Sequence, residues 1–212
     1  MACAAFSSRR LTSVPQLLVT LMERMTSPLD QRKTAAVAGY GSREAFGLRL
    51  QRLVNSHALL RCRHRQDDGR AVPRAQAKLY LIDPLLAWLP SALSPGLPRP
   101  GMTSLSEMVL AVALARAVDG LEEGRWVADD TIGYSRTSSG NAIDFSPVRV
   151  PTEAAAGLTT PIESKWVDDG WRREALVLEC RYGRGVMATK SILDLTHPSW
   201  AIPAPLVACL LG

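Results

Sequence analysis

The sequence predicts a mixed α/β (α+β) protein built from two modules, and three observations lead to that prediction. The chain has 212 residues, enough for one large domain or two small ones with separate cores. Its charge is unevenly divided, because residues 1–80 hold 14 Lys/Arg against 5 Asp/Glu and residues 81–212 hold 11 against 15. A Pro-, Gly- and Ser-rich stretch, PSALSPGLPRP, separates the two parts. We therefore expect a first module over 1–89, a linker over 90–102 and a second module over 103–212.

Three predicted helices precede two predicted strands in the first module. Apolar spacing predicts a helix over 14–25, a Ser27-Pro28 start predicts a second one that reaches about residue 38, and Ser42 is placed to cap a third. Apolar runs over 58–63 and 78–82, joined by a polar loop, predict a hairpin. This order of elements is that of a winged helix-turn-helix.

Basic residues concentrate on the predicted third helix and on the hairpin. They are Arg43, Arg49, Arg52, Arg61, Arg63, Arg65, Arg70, Arg74 and Lys78. In a DNA-binding winged helix these elements face the groove and the phosphates, so the sequence predicts a nucleic-acid contact here. A winged helix that contacts another protein is the alternative.

The second module reads as a mixed α/β core. The expected elements are a helix from 103 to about 118, strands over 133–137 and 142–145, a strand over 161–167, a helix over 171–182 and a strand over 186–190. Residues 148–150 either continue the second strand or form the next one. Gly183 is placed to end the second of these helices.

A Glu-x-Lys triplet in the second module carries the chemistry. In a strand Glu163 and Lys165 point the same way and Ser164 points oppositely, because side chains alternate. Asp144, on a strand about nineteen positions upstream, is expected to lie beside them, and Glu107 is a further candidate acid. Carboxylates of this kind hold Mg²⁺, while a nearby lysine orients a water or offsets phosphate charge.

Each of these acids also has an explanation that needs no chemistry. Ser104 and Glu107 have the spacing of a capping box, in which the glutamate bonds to the backbone at the start of the helix. Asp144 could face solvent or pair with Arg136 across a hairpin. The Glu-x-Lys pair could be a solvent-facing charged stripe, and the whole could then be a purely structural α/β protein.

Short motifs in the right order resemble a known family. They are KLYLIDPLLA (78–87), Ser106-Glu107, YSRT (134–137), GNAIDF (140–145) and PIESK (161–165). The first resembles the end of the winged helix in a family of prokaryotic AAA-type ATPases. The others resemble the domain of unknown function that follows it there, which is similar to the PD-(D/E)XK restriction-endonuclease-like fold.

The resemblance implies roles for particular residues. Asp144, Glu163 and Lys165 match the nuclease motif, and Glu107 matches its helical acid. Glu107, Asp144 and Glu163 would then hold Mg²⁺ (or Mn²⁺), with the Ser164 carbonyl as an extra ligand and Lys165 positioning the attacking water.

The chain departs from the family in two respects. The ATPase module is missing and no GxxxxGK[ST] phosphate loop occurs, so we expect no ATPase activity from this chain alone. The family often has an acid where Ala142 stands.

These observations lead to a hypothesis and, beside the purely structural explanation given above, one alternative. We expect a cytoplasmic nucleic-acid-binding protein, with DNA as the expected nucleic acid, that carries a Mg²⁺-dependent nuclease-like domain and has no membrane partner. The alternative is a non-catalytic module that binds DNA or a partner protein such as an AAA-type ATPase.

Overall fold

The computed structural model describes residues 14–121, 131–137, 140–146 and 160–211. Helices and strands are mixed along the chain, as predicted. The helices are α1 (Val14–Met22), α2 (Gln31–Val37), α3 (Arg43–Asn55), α4 (Pro84–Leu93), α5 (Met102–Leu121), α6 (Trp171–Tyr182) and α7 (Ala204–Leu211). The strands are β1 (Leu59–His64), β2 (Lys78–Leu81), β3 (Gly133–Arg136), β4 (Ala142–Ile143), β5 (Ile162–Ser164), β6 (Gly185–Thr189) and β7 (Ser199–Pro203).

A four-stranded sheet joins the two predicted modules. Its order is β2-β1-β3-β4, with β1 antiparallel to β2 and parallel to β3. The hairpin expected in the first module is therefore present, and its first strand also pairs with a strand of the second module. Sequence alone could not show this β1–β3 pairing, because the two strands are far apart in the chain.

A second sheet holds the Glu-x-Lys strand. It has the order β5-β6-β7, and all of its pairings are parallel. Parallel strands are usually buried on both faces, and here α6 and α7 contact β6 and β7. An isolated antiparallel bridge between Phe145 and Ile162 connects the end of the first sheet to β5.

One hydrophobic core holds side chains from both predicted modules. Phe46 of α3, Tyr80 of β2, Met108 of α5 and Phe145 are each fully buried within a single cluster. Full burial of a large apolar side chain stabilises a fold by about 1.5–3 kcal/mol. The core therefore ties the helices and hairpin of the first predicted module to the elements of the second.

Several element boundaries differ from the predicted ones. Helix α2 begins at Gln31, because the Asp30 carboxylate accepts hydrogen bonds from the backbone N–H groups of Arg32 and Lys33 and so replaces Ser27 as the cap. Helix α4 continues through Pro90 to Leu93, into the stretch predicted as linker.

Other predicted boundaries are confirmed. Ser42 caps α3 through its hydroxyl, and Gly183 ends α6 in the left-handed region with φ of 75°. β7 and α7 were not predicted, and the predicted strand over 148–150 lies outside the described residues. Within the part of the chain that the structure describes, no helix is long and apolar enough to cross a bilayer.

Candidate active site

The bridge between the two sheets places Asp144 beside Glu163. Phe145 N–H donates to Ile162 O at 2.9 Å, and Ile162 N–H donates to Phe145 O at 2.8 Å. Each of the two neighbouring carboxylates then accepts a backbone hydrogen bond from the opposite segment. Glu163 Oε2 accepts one from Asp144 N at 3.0 Å, and Asp144 Oδ2 accepts one from Ser164 N at 3.0 Å. Backbone pairing therefore fixes two of the predicted site residues against one another.

Glu107 reaches the same point from helix α5. Its Oε1 accepts a hydrogen bond from Lys78 Nζ at 2.9 Å and one from the Tyr80 hydroxyl at 2.6 Å. Lys78 Nζ also donates to Asp144 Oδ1 at 2.6 Å, so one ammonium links two carboxylates. Since α5 begins at Met102, Glu107 lies inside the helix, and its bonds to Lys78 and Tyr80 differ from those of a capping box.

Lys78 corrects one prediction from the sequence. It was expected to face phosphates from the wing, but its side chain is 1% exposed and lies between two acids. Strand alternation explains the position, because Lys78 and Tyr80 share one face of β2 and Leu79 lies on the other. The signal for this was in the sequence: a lysine inside an apolar strand needs a carboxylate partner if the strand is buried.

Lys165 forms the outer edge of the cluster. It follows β5 directly, and its Nζ lies 3.5 Å from Glu163 Oε1 and 3.8 Å from Glu174 Oε2. The Lys165 side chain is 35% exposed, whereas that of Glu163 is 11% exposed. Glu174 of α6 was not predicted. The Glu-x-Lys pair is therefore a half-buried ion pair rather than a solvent-facing stripe.

The residues brought together form what we call the acid–lysine cluster. It consists of Lys78, Tyr80, Glu107, Asp144, Glu163 and Lys165. The four residues that the sequence predicted all belong to it, and Lys78 and Tyr80 are additions. Asp144 pairs with Lys78, not with Arg136, which is exposed.

Burial governs the protonation of the acids. Burial and the adjacent Asp144 raise the pKa of Glu163 to about 8, and the same two causes raise the pKa of Glu107 to about 7 despite the opposing effect of Lys78. Burial lowers the pKa of Lys78, but Asp144 and Glu107 outweigh it and the net shift is upward. The cluster therefore holds a charged ammonium near two glutamates, Glu107 and Glu163, that retain protons more readily than exposed glutamates do.

The predicted nucleic-acid contacts do not share one surface. Arg43, Arg61, Arg63 and Arg74 line one polar groove, while Arg52 is exposed on another part of α3 and Arg49 is half-buried. Arg65 donates to Gly69 O at 3.0 Å, and Arg70 lies 3.6 Å from the Asp68 carboxylate in an exposed pair.

The carboxylate oxygens of the acid–lysine cluster are suitable ligands for a hard cation, but the Lys78 ammonium competes with a cation for two of the carboxylates. Mg²⁺ is usually held by one or two carboxylates together with waters and substrate phosphates, and Asp144 and Glu163 supply such carboxylates. No group of three or more His, Cys, Asp or Glu side chains in the described ranges is arranged to hold an ion. The Lys78 ammonium lies between Glu107 and Asp144, so Glu107 would share in binding only if that ammonium moved.

The fold and the site define a mixed α/β protein with a buried acid–lysine cluster. Comparison with protein-family models, with curated proteins and with solved structures finds no significant match. The resemblance to the C-terminal part of AAA-type ATPases and to the PD-(D/E)XK fold therefore stays a prediction, carried by the motifs alone.

Proposed function

We propose that this chain is a nucleic-acid-binding protein whose acid–lysine cluster hydrolyses phosphodiester bonds with the help of Mg²⁺ or Mn²⁺. One observation carries the proposal. Glu107, Asp144, Glu163 and Lys165, which come from separate parts of the chain, lie in one hydrogen-bonded and ion-paired network. Buried acids beside a lysine in this order are what the PD-(D/E)XK resemblance predicts.

The role proposed for each residue of the acid–lysine cluster follows from how buried its side chain is. Asp144 and Glu163 would hold the ion, with Glu107 and the Ser164 carbonyl as further candidate ligands. When bound, a divalent ion would activate water and offset charge on a phosphate. Lys165 is the most exposed charged group of the cluster, so it is placed to meet a phosphodiester arriving from solvent and to position a water beside it.

The test is a cleavage assay with a matched pair of lysine variants. Purified protein is incubated with single- and double-stranded DNA and with RNA, in Mg²⁺, in Mn²⁺ and in EDTA. We expect ion-dependent cleavage that falls by about a hundredfold in Lys165→Ala, the usual loss for one transition-state donor. Lys190→Ala removes a lysine that directly follows β6 and pairs with exposed Asp168 at 2.7 Å, so this variant should cleave normally. Equal trace cleavage by both variants would refute the hydrolytic proposal.

A non-catalytic interaction module is the second candidate, and the position of Lys78 favours it. An ammonium that links Glu107 and Asp144 gives those acids a structural counter-charge that needs no ion. In this case the chain would bind DNA or a protein such as an AAA-type ATPase carried by another polypeptide. Thermal unfolding during Mg²⁺ titration separates the two candidates. Stabilisation that vanishes in Asp144→Ala supports the ion site, and no stabilisation of the unaltered protein supports the interaction module.

A further inference from the structure

A basic groove lies on the winged-helix-like part of the molecule. It is a cavity of about 800 Å³ between α2 and α3 on one side and the β1–β2 loop on the other. Five arginines line it against a single acid, Asp30; they are Arg32, Arg43, Arg61, Arg63 and Arg74. The Asp30 carboxylate is occupied as the cap of α2. We call this surface the arginine groove, and its charge suits a ligand with several phosphates.

Arg74 stands at a position of the groove where the backbone favours glycine. Ala75 N–H donates to Val72 O at 3.3 Å, closing a turn with Pro73 and Arg74 at its centre. The φ of Arg74 is 59°, and a type II turn with proline at its second position requires a positive φ at the third. A non-glycine residue there costs about 1 kcal/mol. Arg74 therefore lines the cavity at a position where glycine would be less strained.

The arginine groove and the acid–lysine cluster lie on opposite faces of one sheet. Arg61 pairs with Leu79 in the β1–β2 register, and both line the groove. Cys62 pairs with Lys78 one position along, and side chains at successive positions point to opposite faces. A phosphate bound in the groove is therefore separated from Lys165 and Glu163 by the sheet. The groove is an anchoring surface and not the cleavage site.

Helix α3 does not present one basic face to a duplex. Arg43 and Gln51 line the groove, whereas Arg52 lies nine positions after Arg43, about two and a half turns along, and so on the opposite side of the helix. A winged helix that reads DNA inserts the outward face of this helix into a major groove about 12 Å wide. Here the arginines gather instead in a concavity of small-ligand size, which takes a few nucleotides of one strand.

We propose that the arginine groove binds the phosphodiester backbone of a single nucleic-acid strand. The proposal rests on the nucleic-acid-binding part of the proposed function and is independent of hydrolysis. The contacts are to phosphates, so we expect little base preference and a strong dependence on salt.

The experiment measures the fluorescence anisotropy of a labelled oligo-dT of about 12 nucleotides in EDTA, at several salt concentrations. Losing one phosphate contact to a single strand lowers the salt slope by about 0.7, which corresponds to about eightfold weaker binding near 50 mM salt. We expect that loss in Arg43→Gln and in Arg74→Gly. The second variant relieves the positive φ, so its folded state is not weakened.

Two controls make the outcome decisive. Arg52→Gln removes the same charge from the other side of α3 and should leave affinity within twofold. The second control is the EDTA in the assay: it removes the divalent ion that hydrolysis needs, so a loss of affinity measured in EDTA is a failure of anchoring and not a failure of cleavage. The proposal is overturned if Arg52→Gln weakens binding as much as Arg43→Gln, if Arg74→Gly has no effect, or if unlabelled duplex or inorganic phosphate displaces the strand as well as unlabelled oligo-dT does.

Discussion

Lys78→Met is the substitution that probes the centre of the acid–lysine cluster. Methionine keeps the length and most of the apolar contact of the lysine but removes the ammonium. The side chain is 1% exposed, and its Nζ lies 2.9 Å from Glu107 and 2.6 Å from Asp144, so both carboxylates would lose their counter-charge without gaining water. Removing one partner of a buried ion pair costs about 3–5 kcal/mol, and we expect a loss in that range.

Urea unfolding followed by circular dichroism measures this loss. With an m-value of about 2 kcal/mol per molar urea, the expected destabilisation lowers the midpoint by about 2 M. The triple variant Lys78→Met, Glu107→Gln, Asp144→Asn removes all three charges at once. It should recover part of the loss, because it leaves no unpaired charge buried, whereas the single variant leaves two. Lys190→Met is the matched control: its ion pair with Asp168 is exposed, so we expect the urea midpoint to change little.

Magnesium adds a second measurement on the same variant. If Asp144 and Glu107 can hold a cation, Mg²⁺ should replace the missing ammonium and stabilise Lys78→Met more than it stabilises the unaltered protein. At a concentration one hundred times its dissociation constant, the gain would be about 2.7 kcal/mol. Two results would refute this account of the site: a loss below about 1 kcal/mol in Lys78→Met, or a triple variant no more stable than the single one.

Two further predictions concern protonation and packing. The pKa of Glu163 rises from 4.5 to about 8 on folding, so between these pH values the folded protein binds a proton that the unfolded chain releases. The stabilisation that protonated Glu163 gives the folded state is therefore fully present below pH 4.5 and is lost as the pH rises through 8. Glu163→Gln should therefore flatten the decline of unfolding free energy with pH across this window, and an unchanged slope would contradict the assignment. Gly185→Ala should cost about 1–3 kcal/mol by overpacking. The reason is that the new Cβ at residue 185 would lie 2.5 Å from Leu178 Cδ1. Nothing lies within 4 Å of a Cβ at residue 96, so Gly96→Ala is the control, measured in the same thermal melt.

Local rules predicted the elements well where a strong local signal existed. Ser42 caps α3 and Gly183 ends α6 because a hydroxyl and a missing Cβ satisfy needs of the helix ends that are visible in sequence. Asp30 shows the limit of such rules: it and Ser27 are both good caps, and the contacts around α2 decide between them. Pro90 inside α4 shows a second limit. A proline removes one backbone N–H donor and crowds the carbonyl four residues earlier, so local rules end the helix before it, yet α4 continues to Leu93 with Pro90 buried.

Pairing between distant strands could not be predicted in the same way. Alternation placed Glu163 and Lys165 on one face, and the ion pair between them fits that expectation. That Asp144 lies against Glu163 depends on the Phe145–Ile162 bridge, which no local pattern specifies. Lys78 was assigned to a phosphate-binding surface because its sequence neighbours in the hairpin are basic, although the apolar residues beside it indicated burial.

Lys78 also explains why the two predicted modules act as one folded unit. Glu107 and Asp144 belong to the second module, yet the ammonium between them and the hydroxyl that bonds Glu107 come from β2 of the first. The first sheet crosses the same boundary through the pairing of β1 with β3. Desolvated carboxylates are tolerated only when they are paired, so the acids of the second module depend on the first module for their counter-charge. Any change that shifts β2 therefore acts directly on the acid–lysine cluster, whichever of the two candidate functions that cluster serves.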